Sequence, residues 1–234
     1  MLRRLPLSCC AIGLIAGFMA TPTASAQQSI DFYVGGFLPH GLGARGIDDV
    51  LARNDSFLVF DIRDFRGATA GAEYVVGLGD LFDAGLGVGI YSRTSPAIDR
   101  DFTRPNGAEI ESELKLRNVP MTATFRYLPL GHHDAIVPYV GAGVGINRWR
   151  YTESGDFADS RGNIYSGTFV ASDTTVGPVV LGGVRVPIGS KGSGIGGEIR
   201  YQGGRGNLPS SQGFAGTKID LGGFNYLFTI NVGF

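Results

Sequence analysis

Apolar and polar residues alternate with a period of two over most of the chain, the signature of strands whose two faces meet different surroundings. It is clearest at the C-terminus, where Phe224, Tyr226, Phe228, Ile230, Val232 and Phe234 alternate with Gly223, Asn225, Leu227, Thr229, Asn231 and Gly233. The same rhythm predicts a first strand through Ile30, Phe32 and Val34. A second follows with Ala68 to Leu78 on even positions, and a third with Ala84, Leu86, Val88 and Ile90. In the fourth, Leu114 and Leu116 have the opposite parity to Val119, Met121, Ala123, Phe125 and Tyr127. One extra residue near Asn118, beside Pro120, would reconcile them, so a β-bulge is expected there. Strands from Ile136 to Tyr151, around Val176 to Val186, and around Ile199 to Tyr201 complete a set of eight.

The connections alternate in length. Short turns are expected around Gly79-Asp80-Leu81, Pro129 to Asp134 and Gly189 to Gly192, and long polar ones around 40–66, 95–111, 152–167 and 203–216. Within the first long connection, Ile47 to Leu51 has local helix spacing. No helix pattern is long enough to cover an apolar sheet face, which leaves lipid as the partner of that face. A strand in lipid must have all its backbone groups paired, which requires a closed barrel. The fold class is therefore all-β, an eight-stranded antiparallel up-and-down transmembrane β-barrel. Long loops on one side and tight turns on the other follow from a barrel with both termini in the periplasm.

Composition sharpens this picture. Residues 1–26 read as a cleaved secretory signal: Arg3 and Arg4, an apolar run from Leu5 to Ala20, and Ala24-Ser25-Ala26 before Gln27. Residues 27–234 form the barrel domain. Cys9 and Cys10 fall within the signal, so the mature chain offers no disulfide or thiolate ligand. Losing Arg3 and Arg4 moves the formal charge from −1 to −3, a near balance that speaks against a nucleic-acid partner. The 38 glycines follow no collagen-like period.

On the small, polar face lie Glu73, Arg93, Arg126, Arg185, Glu198 and Arg200. They point into the barrel, where opposite charges have to pair, and they define an expected lumen charge network. The alternative is a narrow solute path whose selectivity these charges would set. Gly85 to Gly89 and Gly141 to Gly145 lack the spacing of a nucleotide loop and are read as space for charged neighbours. No catalytic residue, metal site or cofactor is assigned. His40, at the outer mouth with Ser56 or Asp61 as chance partners, is the sole opening for a lipid-modifying enzyme. His132-His133 is read as a solvated pair in a turn. Aromatic girdles are expected at both interfaces, with Phe32, Phe82, Phe125, Tyr127 and Phe234 toward the periplasm and Tyr151, Tyr201 and Phe224 toward the outside.

The mature chain resembles the small bacterial outer-membrane β-barrels that include the OmpA membrane domain, OmpX and OmpW. The features that carry the resemblance are the signal, the eight strands, the loop parity, Gly-Ala-Glu-Tyr at 71–74 and the terminal Phe234. It departs from OmpA in ending at the barrel, so cell-wall anchoring is not implied. The resemblance implies location in the outer membrane, contact with its lipid and lipopolysaccharide, and a monomer. It also implies reading of Phe228, Ile230, Val232 and Phe234 by the insertion machinery. The function it implies is a structural or surface-interaction role, with a narrow channel for small or hydrophobic solutes as the alternative and a lipid-modifying enzyme as a further one.

Overall fold

A computed structural model describes residues 27–188 and 193–234. The expected signal, 1–26, and the turn at 189–192 lie outside the described residues. Eight long strands form the wall: β1 (Gln28–Pro39), β2 (Gly67–Gly77), β3 (Phe82–Thr103), β4 (Glu109–Tyr127), β5 (Val137–Ala158), β6 (Ile164–Pro187), β7 (Gly194–Gln202) and β8 (Gly223–Gly233). Each pairs antiparallel with its sequence neighbours, and β1 pairs with β8, Phe32 lying opposite Ile230. The ring is closed, so within it no strand edge is left without a partner.

Outward residues form an apolar belt. Leu86, Val144, Val176 and Val180 are more than half exposed, and β8 alternates buried and exposed from Gly223 to Val232. On β4 the belt runs from Val119 to Tyr127. At about 3.4 Å per residue and a tilt of about 40°, that is about 21 Å of height, close to the apolar band of outer-membrane barrels.

Four strands continue far past the belt. β3 to β6 are 19 to 24 residues long, whereas β1, β2, β7 and β8 have 9 to 12. Two expected polar connections, 95–111 and 152–167, are therefore not long loops. They are mostly strand, closed by tight turns at 104–108 and 159–163. Both faces of these extensions meet water or loops, so the apolar alternation that marks a strand in lipid is missing from their sequence.

The expected bulge near Asn118 is absent. Val88 faces Met121 and Tyr91 faces Asn118, the same register on both sides of Pro120. Inward positions of β4 keep one parity from Ile110 through Leu114, Leu116, Asn118 and Thr124 to Arg126. The apolar residues change face because the surroundings change. Below the belt's upper edge lipid is outside and polar groups fill the lumen; above it water is outside and the lumen becomes an apolar core.

That core is built with the first and last long connections. Loop 40–66 folds into the mouth as a short helix, α1 (Val50–Asn54), a two-residue strand (Leu58–Val59) paired with Ile98 and Asp99, and a 3-10 turn (Ile62–Phe65). Val50, Leu51, Leu58 and Phe65 pack with Leu114, Leu116, Trp149 and Tyr151 from the wall and with Leu208, Ile219 and Leu221 from loop 203–222. Asp49 caps α1 by accepting from the Leu51 and Ala52 amides, and its other oxygen accepts from Asp220 N at 2.6 Å. Arg45 bonds Asp49 at 3.2 Å and donates to Asp220 O at 3.1 Å, tying the two loops together. A Cβ on Gly206 would overlap the Trp149 indole, so that glycine lets loop 203–222 lie flat on the ring.

Leu51 is fully buried. Placing an unpaired carboxylate there should undock α1, because a buried charge without a partner is strongly disfavoured. Leu51→Asp is expected to speed tryptic cleavage after Arg53, Arg63 or Arg66 by about tenfold or more, while the heat-modifiable gel shift of the folded barrel is kept. Equal cleavage rates would contradict the docked loop.

Candidate functional site

The lumen inside the apolar belt is filled by charged residues from six strands. β1 supplies Asp31, β2 Glu73, β3 Asp83, β4 Arg126, β6 Arg185, and β7 both Glu198 and Arg200, while β5 adds Tyr139; all are buried. Cross-strand register makes room for them. Gly87 lies opposite Glu73, Gly141 opposite Arg126, Gly183 opposite Glu198 and Gly196 opposite Arg185. A Cβ on Gly85 would overlap Glu73 Oε1, so the glycine runs hold open the volume that the charges occupy.

Glu73 is the hub. Its Oε2 accepts from Arg126 Nη2 at 2.7 Å and Arg200 Nη2 at 2.6 Å, and its Oε1 from Thr124 Oγ1 at 2.6 Å. Glu198 accepts from Arg200 Nε at 2.7 Å and from the Tyr139 hydroxyl at 3.0 Å, and lies 3.4 Å from Arg126. Arg126 also reaches Asp31 at 3.3 Å. Arg185 sits 3.7 Å from both Asp31 and Asp83. Tyrosine rings cover the guanidinium faces: Arg126 is 5.0 Å from the Tyr139 centroid and Arg200 5.3 Å from that of Tyr33. One layer higher, Asn147 Oδ1 accepts from Asn118 at 3.0 Å and Gln202 at 2.6 Å, and above these begins the apolar core.

Of the six expected network residues, Glu73, Arg126, Arg185, Glu198 and Arg200 are brought together. Arg93 is not. It lies above the belt, exposed, with its Nε donating to Asp64 O at 3.1 Å and Arg66 O at 2.8 Å. Its parity is inward, but at its height the lumen is occupied by the first loop, whose backbone it grips. Asp31, Asp83 and Tyr139 join the cluster although alternation alone did not single them out, and inward parity on their strands was the available signal.

His132 is the other missed member. His133 is solvated, its side chain 87% exposed, but the His132 side chain is 7% exposed and closes the end of the lumen beside Asp83. Its Nε2 faces Asp83 Oδ1 at 2.7 Å and its Nδ1 faces Asp80 O at 2.9 Å. Both partners are acceptors, so the two contacts favour a ring protonated on both nitrogens. With that ring protonated, four carboxylates face three arginines and one imidazolium.

Other residues are also relocated. His40 bonds Asp220 at 3.0 Å, not Ser56 or Asp61. Ser56 donates to Arg53 O, and Asp61 accepts from the Arg63 amide. Tyr151 belongs to no girdle; it is fully buried in the upper core. Phe82 lies 5.3 Å from Phe125 and 5.5 Å from Tyr127 near the 78–81 turn, and Tyr201 lies 5.2 Å from Phe224 at the opposite end of the belt. Phe32 sits on the outer wall between Ile230 and Ala72. Phe228, Ile230, Val232 and Phe234 are all exposed on the outer face. Among the described residues no group of three or more His, Cys, Asp or Glu could hold a metal ion.

No protein-family model matches the chain, and no curated protein does. Among solved structures, the outer membrane protein OprG from Pseudomonas aeruginosa aligns with a TM-score of 0.54 and 14% identity, over 89% of this chain and 96% of that one. Neisserial surface protein A aligns with a TM-score of 0.43 and 13% identity, over 89% of this chain and 97% of that one. The chain has the fold of the bacterial outer-membrane β-barrels. Its closed wall and apolar belt are those of a membrane-spanning barrel of that fold.

Asp83 gives the lumen a pH signature. The hydrogen bond to this carboxylate raises the His132 pKa above its ordinary value, against the opposing effect of partial burial. The folded state therefore favours the protonated ring. Its contribution to stability is complete below about pH 6.5 and is lost as pH rises through the raised folded value. Unfolding midpoints in detergent micelles should fall between about pH 6 and about pH 9, and His132→Gln should flatten that fall. An unchanged slope in His132→Gln would assign the pH dependence to another group.

Proposed function

We propose that the protein is a closed, monomeric barrel of the outer membrane with a structural or surface-interaction role, its lumen plugged by the charge network. The observation that carries this reading is the double filling of the lumen: interlocked ion pairs within the belt and a loop-built apolar core above it. A solute would have to displace both. The termini and the connections at 78–81 and 128–136 face the periplasm, and the two folded loops and two tall hairpins face outward. Lipid and lipopolysaccharide surround the belt, and the insertion machinery reads the end containing Phe228, Ile230, Val232 and Phe234. The removal of residues 1–26 on export belongs to the same proposal.

Two measurements test it. Cysteines at Asn106 and Ser160 should label on intact cells, and one at His133 should not; the reverse pattern would invert the topology. In planar bilayers the refolded protein should show no steady conductance. Salt-dependent, charge-selective conductance would make the lumen a narrow channel for small solutes and overturn the plugged reading.

A further inference from the structure

Just above the apolar belt, Lys115, Arg117, Arg148 and Arg150 project from the outer faces of β4 and β5, and all four are exposed. They alternate with the buried Leu116, Asn118, Trp149 and Tyr151, so their outward direction is fixed by the core behind them. Arg117 and Arg150 are directly opposite in the ladder, and Arg148 lies opposite Val119, the uppermost belt residue of β4. Like charges placed opposite each other destabilise a sheet, and among the described residues none forms an ion pair with these four. Among the described residues the ion pairs made by exposed side chains involve other groups, such as Arg100 with Asp55 and Lys218 with Asp48. The carboxylates nearby, Glu113 on the outward row above Lys115 and Asp173 opposite Trp149, make no ion pair with the four.

The arrangement forms a shallow trough of about 720 Å³ lined by Arg117, Arg148, Arg150 and Asp173 on one side and Val119 and Met121 on the other. Its basic side stands over the end of the belt and its apolar side continues into it. We propose that this trough binds the phosphate of a phosphorylated lipid in the surrounding leaflet, with the acyl chains running down the wall past Met121 and Ile146. Guanidinium forks match phosphate oxygens two by two, and a bound phosphate relieves the repulsion between Arg117 and Arg150. The height of the patch chooses lipid over a soluble polyanion: it faces sideways at the level where headgroups lie, not up from the tall hairpins. The inference rests on the belt being the membrane-spanning zone, as set out under Proposed function.

The test uses the full refolded chain in zwitterionic micelles, titrated with a bisphosphorylated glycolipid such as lipid A and with the same lipid after enzymatic dephosphorylation, bound lipid being counted by native mass spectrometry. The wild type should retain one phosphorylated lipid and hold the dephosphorylated form about tenfold or more weakly. Combining Lys115→Gln, Arg117→Gln, Arg148→Gln and Arg150→Gln should weaken binding of the phosphorylated lipid by about tenfold or more. Combining Arg53→Gln, Arg63→Gln, Arg66→Gln and Arg161→Gln, which removes the same charge elsewhere, should leave it unchanged. Inorganic phosphate in tenfold molar excess over the lipid should not displace it. Equal binding of the two lipids by the wild type would overturn the proposal even if the fourfold variant failed to fold, as would equal losses in both variants. Displacement by inorganic phosphate would overturn the lipid assignment. Micelles impose no leaflet, so an inverted cell-labelling pattern would refute the topology without altering these outcomes.

Discussion

Glu73 can place its charge only on Arg126 and Arg200. Buried at the middle of the barrel, it has lost water, and an ionised carboxylate in such a place persists only when cations and hydrogen-bond donors surround it. Those two arginines carry the requirement to Glu198 and Asp31, Arg185 extends it to Asp83, and His132 completes it at the end of the lumen. Satisfying one buried charge has thus drawn in six strands and a turn. Gly85 is part of the same solution, because a Cβ there would take the space of Glu73 Oε1. The tyrosines do a related task by covering the guanidinium faces that no carboxylate reaches.

The upper half of the barrel obeys the opposite rule. Once the wall rises out of the lipid, its outer face can be polar and its inner face can bury Leu114, Leu116, Trp149 and Tyr151 against α1 and the last loop. The change of solvent reverses the hydrophobic pattern without altering the register, which is why the parity change at Asn118 needs no inserted residue. The molecule is one continuous sheet with two interiors, an ionic one where its exterior is apolar and an apolar one where its exterior is wet. The boundary between them is also where Arg117, Arg148 and Arg150 stand against Val119, Met121 and Ile146.

Strand number, closure and the lipid-facing row were legible in the sequence because lipid imposes a strict period of two on β8 and its neighbours. Lumen charges on those short strands were legible for the same reason: a charged residue with inward parity, such as Glu73 or Glu198, has few other places to be. Arg93 misled because parity gives direction and not height, and at its height the lumen belongs to the first loop. The strand extensions 95–103 and 152–158 were read as loops because polar residues on both faces erase the alternation. The docking of loop 40–66 depends on contacts between residues far apart, such as Asp49 with Asp220, that no local pattern encodes. His132 looked like a solvated turn residue because its partner, Asp83, lies 49 positions away.

The account stands on the ion pairs being a mutual requirement, and a double-mutant cycle on Glu73 and Arg126 measures that directly. Glu73→Gln and Arg126→Gln alone each strand a buried charge, whereas the pair together removes both. Unfolding of the three variants and the wild type in the same micelles should give a coupling energy above about 2 kcal/mol, with the double variant far less damaged than the sum of the single ones. A coupling below about 0.5 kcal/mol, within the range of independent sites, would mean that the lumen charges are solvated rather than interlocked.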